Sequence, residues 1–579
     1  MRPEVLLHDA ERGEWLGFHR PLETITAYRA EDVRPALQRI EARVAKEGVY
    51  AAGFLCYEAA PAFDPACVIH SSPDLPLLHF GIYRTADVVV APSSSSGMKP
   101  LLWQPAWDLD KFSLATAAIH EAIANGETYQ VNLTFPLRAP FDGDPWDFFC
   151  RLIRGQGCDY AAFLDLGRYV ICSASPELFF RRDASRLVMR PMKGTIARGP
   201  SSAGDRLHAE QLRTSAKDRA ENIMILDMVR NDLGRLADPG KVRTTGLCDL
   251  EKYATVWQMT STVEAETPAS FEQIMAALFP CASITGAPKY RTMEIIARLE
   301  QRPRGIYTGS IGYLAPQGHS QFSVAIRTAL IDRQMKQAHY GIGAGITWDS
   351  DPAQEYRECL DKARILTRPV LDFDLLETLL WDPHEGDFLL EEHLFRLMNS
   401  AEYFDYPCDP DRVRDYLREL SRAMPAERQR VRLLLSAEGL LRHEVSPCAQ
   451  DGAAPVRLRL ARQPTERANP FVYHKTTNRS QYEQAGFGLN DCDDVLLWNE
   501  EGEVTETTIA NLVADLNGTL VTPPISSGLL PGTFRDHLLA RGEIVEHVIR
   551  LKDLQHCRKI YLINALRGWR DAIITGDQD

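Results

Sequence analysis

Four carboxylates stand in two pairs at helical spacing, Asp218 with Glu221 and Glu355 with Glu358. Side chains three apart share one face of a helix, and like charges so placed repel unless a cation sits between them. Two such pairs brought together would make an all-oxygen site suited to Mg²⁺, which keeps several waters and accepts a substrate carboxylate. Each pair alone is an ordinary solvated helix face. A second signal is the run Thr285-Gly286-Ala287-Pro288 ahead of an apolar-periodic segment. The first N–H groups of a helix lack intrahelical partners, so this run offers a carboxylate site.

These groups need helices and strands to hold them. Asp351-Pro352-Ala353-Gln354 reads as a helix start, with Asp351 as N-cap and Pro352 in the first turn. Helical periodicity is strongest over residues 217–235, 288–299 and 352–366, and a further helix runs from residue 112 to near residue 126. Residues 129–133 read as a strand. The Ser-rich stretch 92–97 is a flexible connection inside one domain. Around Thr367-Arg368-Pro369 the pattern breaks and a new series of strands and helices begins. The expected domains are therefore residues 1–366 and 371–579.

Bulk properties exclude several classes. A chain of 579 residues exceeds one core. Its 45% hydrophobic and 25% charged content is that of a soluble globular protein. A net charge of −14 without a basic stripe argues against nucleic-acid binding. The start has no apolar signal region and no apolar run reaches membrane-spanning length, so a cytoplasmic protein with no membrane association is expected. Twelve cysteines are scattered without a C-x-x-C pair or zinc-ligand spacing, and read as mostly buried thiols.

Three motifs carry a resemblance. Arg190-Pro191-Met192-Lys193-Gly194-Thr195, Thr285-Gly286-Ala287-Pro288-Lys289 and Gly343-Ala344-Gly345 make roughly residues 20 to 366 similar to the chorismate-utilising enzymes. The resemblance implies an α/β (α+β) fold, a two-layer chorismate-binding β-sandwich with surrounding helices. The segments around Asp218–Gly234 and Glu355–Ala363 resemble the family's two metal segments. That implies Glu221 and Glu358 as Mg²⁺ ligands, with Asp218 and Glu355 beside them. It also implies that Thr285, Gly286, the glycine-rich turn containing Gly343 and Gly345, and Lys362 hold the ring carboxylate of chorismate. Tyr307 and Arg327 match residues that hold the enolpyruvyl carboxylate, a task suited to a guanidinium fork. The Pro-x-Lys-Gly-Thr spelling is that of aminodeoxychorismate synthases, whereas anthranilate synthases usually carry Ala there. Lys193 is then the nucleophile at C2, which requires a pocket that lowers its pKa, and the new amine arrives at C4. Gln258 stands where many relatives have a His credited with proton transfer during pyruvate loss, so pyruvate loss is expected elsewhere.

Phe373–Thr378, His393-Leu-Phe-Arg396 and Lys475-Thr-Thr-Asn478-Arg479 resemble 4-amino-4-deoxychorismate lyase and its wider group, the class IV aminotransferases. That resemblance covers about residues 370 to 579 and implies a pyridoxal phosphate enzyme of α/β fold. Lys475 would attach the cofactor, Glu506 would face the pyridine nitrogen, and Arg396 with Thr533 and Phe534 would bind the phosphate. Together the halves imply 4-aminobenzoate formation in folate biosynthesis, from chorismate and ammonia. No G-x-C-x-G motif is present, so the ammonia would come from a separate glutamine amidotransferase subunit or from solution. Two alternatives are an anthranilate synthase fused to a branched-chain or D-amino-acid aminotransferase, which Lys193 disfavours, and an idle scaffold, which would have lost the carboxylates and lysines.

Overall fold

Period-two alternation, the mark of strands, organises the first part of the molecule. In Gln337–Ile346 every second residue is fully buried, and the intervening ones include Gly341, Gly343 and Gly345. The computed structural model describes residues 2–71, 74–94, 100–157, 159–367, 371–448, 454–487 and 491–575. It divides into two compact units, residues 1–197 with 209–370, and residues 198–208 with 371–579. Arg368 and Pro369 of the expected boundary, and residues 95–99 of the Ser-rich connection, lie outside the described residues.

The first unit contains two ten-stranded antiparallel sheets among the described residues. Val5, Leu7, Leu16 and Phe18 of one sheet share a buried cluster with Ala52, Phe54, Ile311 and Tyr313 of the other. The sheets therefore pack face to face as the two layers of a sandwich. Helices Leu109–Ala124, Pro145–Gln156, Lys289–Glu300 and Pro352–Lys362 contribute apolar faces to a second cluster on one sheet. Helices Ala30–Glu47, Ala216–Gly234 and Phe271–Leu278 cover the other. Each fully buried Leu or Phe in these layers stabilises the unit by about 1.5–3 kcal/mol relative to exposure.

Helix starts follow their caps. The Ser215 hydroxyl accepts from the Asp218 N–H at 3.2 Å, and Asp351 accepts from the Gln354 N–H at 2.8 Å. Both carboxylate-bearing helices are thus fixed at the ends that carry the acids. The residues 341–345, expected as a turn, form part of strand Gln337–Ile346 instead. Glycine alternating with apolar residues continues a strand when the apolar face is buried, here against Phe135, Leu133 and their neighbours.

In the second unit a four-stranded antiparallel sheet packs on helices Leu390–Phe404 and Pro410–Ser421, beside an eight-stranded mixed sheet. Residues 198–208, placed by the expected boundary in the first domain, group with this unit. Arg198 donates to the Tyr403 carbonyl at 3.0 Å and lies over the Tyr403 ring, while Ser202 donates to the Asn399 carbonyl at 3.0 Å. No helix is long and apolar enough to cross a membrane among the described residues. The described cysteines are all free thiols, most of them buried.

Candidate active sites

The first cavity, about 180 Å³, is lined from five directions by the groups that the motifs single out. Strand Met192–Ala197 supplies Lys193, and helix Ala216–Gly234 supplies Asp218 and Glu221. Helix Pro352–Lys362 supplies Glu355, Glu358 and Lys362. Gly341, Gly343 and Gly345 form a wall, with Tyr307 and Arg327 beside it. Arg327 has φ +50°, a left-handed conformation uncommon for non-glycine residues.

Lys193 carries no hydrogen bond on its amine among the described residues. Burial lowers its pKa and the Lys362 charge lowers it further, against the opposing pull of Glu221, Glu177 and Glu358. An amine so held is easier to deprotonate, as a nucleophile must be. Asn222 fixes the strand beneath it by donating to the Lys193 carbonyl at 3.0 Å.

The four carboxylates face one cavity without closing on one point. Among the described residues, the group of acids and imidazoles near enough to share an ion is Glu11, Asp183 and His319, near the surface, where Arg181 already pairs with Glu11 and Asp183. The expected ligands are instead drawn to nearby partners. Glu358 pairs with Lys362 at 2.8 Å, Glu355 accepts from Ser350 at 2.8 Å, and Asp218 accepts from Ser215 at 2.5 Å. Burial raises the pKa of Glu221 and of Glu355, and the Glu358 charge adds to the latter. Buried acids that resist ionisation are relieved by a divalent cation, so Glu221 and Glu355 fit Mg²⁺, while the Lys362 charge already holds Glu358 below the usual carboxylate range.

Two expected residues are absent from the wall. Thr285 turns its hydroxyl to the Cys281 carbonyl at 3.1 Å, and Gly286 pairs with Val131 as a short strand. Their neighbours Ser283 and Ile284 line the cavity in their place. The helix after this run begins at Lys289, so the run itself is extended rather than a row of free N–H groups.

Two further residues escaped the sequence reading. Glu177 is buried beside the cavity, where burial pushes its carboxyl up to about 7 while Ser283 donates to it at 2.6 Å. Gln130 is buried with neither amide atom hydrogen-bonded, a state that costs about 1–3 kcal/mol. A Cβ on Gly345 would lie 2.1 Å from its Nε2 and 3.1 Å from the Lys193 Nζ. The strand at residues 129–133 was legible, but which of its side chains comes up against Gly345 depends on pairing with Gln337–Ile346. Gln258 also lines the cavity, with its amide donating to the Gly194 carbonyl at 2.8 Å and accepting from Thr195 at 2.9 Å.

The second cavity, about 470 Å³, lies wholly in the second unit, a size typical of cofactor sites. Lys475, Glu506, Arg396 and Thr533 all line it. Burial, and the Arg396 charge, lower Lys475 to about 8. Glu506 accepts from Tyr482 at 3.0 Å and from the Leu530 N–H at 3.2 Å, yet burial still holds its carboxyl at about 8. A buried acid with no ion pair fits a protonated pyridine nitrogen, and the neighbouring low-pKa amine fits the carbonyl of pyridoxal phosphate. Arg396 forks onto Glu377 at 2.9 and 2.6 Å and donates to the Pro531 carbonyl at 3.1 Å. Its remaining N–H groups are what a phosphate would meet. Against the cost of burial, Arg396 and His393 hold Glu377 at about 2. Helix Thr533–Ala540 begins at this cavity. Phe534 does not line it, because its ring packs with Val513, Leu538 and Ile544. Tyr482 and Asn511, which contact Glu506, were not foreseen.

A family model described as chorismate binding enzyme matches residues 2–368, and one described as amino-transferase class IV matches residues 374–572. The chain is 40% identical over 263 residues to aminodeoxychorismate synthase component 1 of Salmonella typhimurium, covering 45% of this chain and 57% of that protein. It is 39% identical over 264 residues to an anthranilate synthase component 1 of Haloarcula marismortui, covering 45% of this chain and 53% of that protein. The chain thus spans about half the length of these relatives. The solved anthranilate synthase component I from Streptococcus pneumoniae superposes with TM-score 0.55 at 24% identity, covering 64% of this chain and 93% of that one. At that identity the likeness concerns the fold alone.

Proposed function

The chain belongs to the chorismate binding enzyme family, and from that premise we propose that it makes 4-aminobenzoate in two steps. The first unit adds ammonia to chorismate to give 4-amino-4-deoxychorismate, and the second removes pyruvate. Overall identity does not separate the amination at C4 from that of the anthranilate synthases, since 40% and 39% are equivalent. The observation that carries the reading is the Lys193 amine, buried, without a hydrogen bond, and facing the same cavity as the carboxylates and Arg327.

In this reading Tyr307 and Arg327 bind the enolpyruvyl carboxylate, while Lys362 and the glycine wall receive the ring carboxylate. Lys193 adds through its neutral amine at C2 as the C4 hydroxyl leaves. Ammonia then attacks C4 and Lys193 departs, regenerating the amine. Mg²⁺ held by Glu221 and Glu358, with Asp218 and Glu355 beside them, supplies charge neutralisation for the substrate carboxylate. Gln258 has both ends of its amide committed to the Lys193 strand, which supports a first site that leaves the ring unaromatised. A glutamine amidotransferase subunit supplies the ammonia.

The second unit completes the reaction. Pyridoxal phosphate, when bound, supplies an electron sink. Lys475 moves the proton from C4 that lets pyruvate leave, and Glu506 keeps the pyridine nitrogen protonated. Arg396 and the N–H groups at the start of helix Thr533–Ala540 hold the phosphate. The test is a Lys475→Ala variant given chorismate, Mg²⁺ and an ammonium salt. It should consume chorismate and accumulate aminodeoxychorismate with little 4-aminobenzoate or pyruvate, and a separately added lyase should restore both. Release of 4-aminobenzoate by the variant at the wild-type rate would end this division of labour.

A further inference from the structure

A third cavity, of about 430 Å³, adjoins the first along the same pair of strands. In Gln130–Pro140 and Gln337–Ile346, residues of one parity share a face, and Asn132 is opposite Gly345 while Arg138 is opposite His339. The first cavity lies over the Asn132–Gly345 end and the third over the Arg138–His339 end. Tyr307 and Gly341 belong to both walls, and Tyr307 is the partition, since a Cβ on Gly341 would lie 2.2 Å from its ring.

The charge at the far end is unbalanced. Arg168 is answered by Asp332 at 2.8 Å and Arg304 by Glu300 at 2.6 Å. Arg138 and Arg302 form no ion pair among the described residues, although the Glu300 charge acts on Arg302 and Asp74 also lines the cavity. The Arg302 Nε is buried without an acceptor, and its other contacts, to the Pro303 carbonyl at 3.3 Å and Thr134 at 3.4 Å, are long. Buried guanidinium donors in native proteins are normally satisfied. Burial, with Arg138 and Arg302 alongside, also holds His339 below the usual imidazole value. A carboxylate in the cavity would meet the terminal nitrogens of Arg302, whose present contacts are long. The rest of the wall includes Pro136, Leu330 and Tyr169, which suits a flat apolar body.

We infer that this cavity is a second ligand site, for a small aromatic monocarboxylate gripped by Arg302 and Arg138. It is distinct from the chorismate site and coupled to it through Tyr307. Because coupling free energies are reciprocal, the ligand and chorismate must change each other's affinity by the same factor.

The experiment titrates the full-length protein with benzoate by calorimetry, in the wild type and in Arg302→Leu and Arg138→Gln. Inorganic phosphate serves as a second probe. Benzoate should bind the wild type, more than tenfold weaker to Arg302→Leu and severalfold weaker to Arg138→Gln. The Kd for chorismate, titrated by the same calorimetry in the absence of ammonia, should stay within about twofold in both. Arg138 is exposed and unpaired, so its variant remains informative even if Arg302→Leu fails to fold. Benzoate affinity unchanged in Arg138→Gln, or benzoate displaced one-for-one by chorismate in every variant, would overturn the site. Phosphate binding as tightly as benzoate would overturn the aromatic ligand class. No step of this test requires turnover, so its outcome is independent of whether the chain makes aminodeoxychorismate.

Discussion

Replacing Gly345 by Ala tests the geometry of the first cavity more sharply than removing a charged group. The added methyl would lie 2.1 Å from Gln130 Nε2 and 3.1 Å from Lys193 Nζ. Ordinary contact begins near 3.4–3.5 Å, so the Gln130 amide must retreat by roughly 1.3 Å, and Lys193 by a few tenths of an ångström. Gln130 is buried and cannot swing into solvent, so its neighbours must give as it moves. Overpacking of this kind costs about 1–3 kcal/mol of stability. A displacement near 1 Å at a reacting group costs on the order of 100-fold in rate, and Lys193 itself must give by only a few tenths of an ångström. The expected result is therefore a loss on the order of tenfold in ammonium-dependent chorismate consumption, or about 1.4 kcal/mol of barrier. Pyruvate release from supplied aminodeoxychorismate should be unchanged, and serves as the internal control for folding. Gly234→Ala, where a Cβ meets nothing within 4 Å, should leave both rates intact. Chorismate turnover in Gly345→Ala within threefold of wild type would refute the assignment of this wall to the reacting groups.

Lys193→Ala should abolish aminodeoxychorismate formation by several orders of magnitude while chorismate still binds, as judged by equilibrium dialysis; wild-type turnover would sink the nucleophile. A chelator, or Glu221→Gln with Glu358→Gln, should stop the first reaction and spare the second when aminodeoxychorismate is supplied. Equal inhibition of both steps would assign the carboxylates another role. The pKa of Lys475, lowered from 10.5 to about 8, sets a pH window for cofactor uptake. Below about pH 8 the free amine gains tenfold per unit, so covalent attachment of pyridoxal phosphate to the apoprotein should accelerate with pH and level off above 8. A rate still climbing at pH 10 would show that the amine is not held low.

Local signals were legible in the chain because their causes are local. Asp351 and Pro352 mark a helix start wherever they stand, and the caps at Ser215 and Asp351 accept N–H groups only three residues away. The i,i+3 carboxylates share a helix face for the same reason. Motif order likewise identified Lys193, Lys475 and Glu506, each of which lines one of the two cavities.

Tertiary structure alone decided what those groups meet. Gly341, Gly343 and Gly345 read locally as a turn, and only burial of the intervening Ile342 and Ala344 against the strand Gln130–Pro140 makes them a flat wall. Thr285 sits in a matching motif, yet its hydroxyl is taken by a carbonyl four residues back, and no spacing rule reveals that competition. Gln130 and Lys193 both come up against Gly345, and Arg302 and Arg138 line one cavity, across separations of 63 and 164 residues that carry no periodic signature. The same holds for residues 198–208, which group with the second unit through Tyr403 and Asn399. Capping and periodicity act over one or two helical turns and are written in the sequence. The burial that lowers Lys193 and Lys475 and raises Glu506 is a property of the closed cavity, which exists only once distant strands have paired.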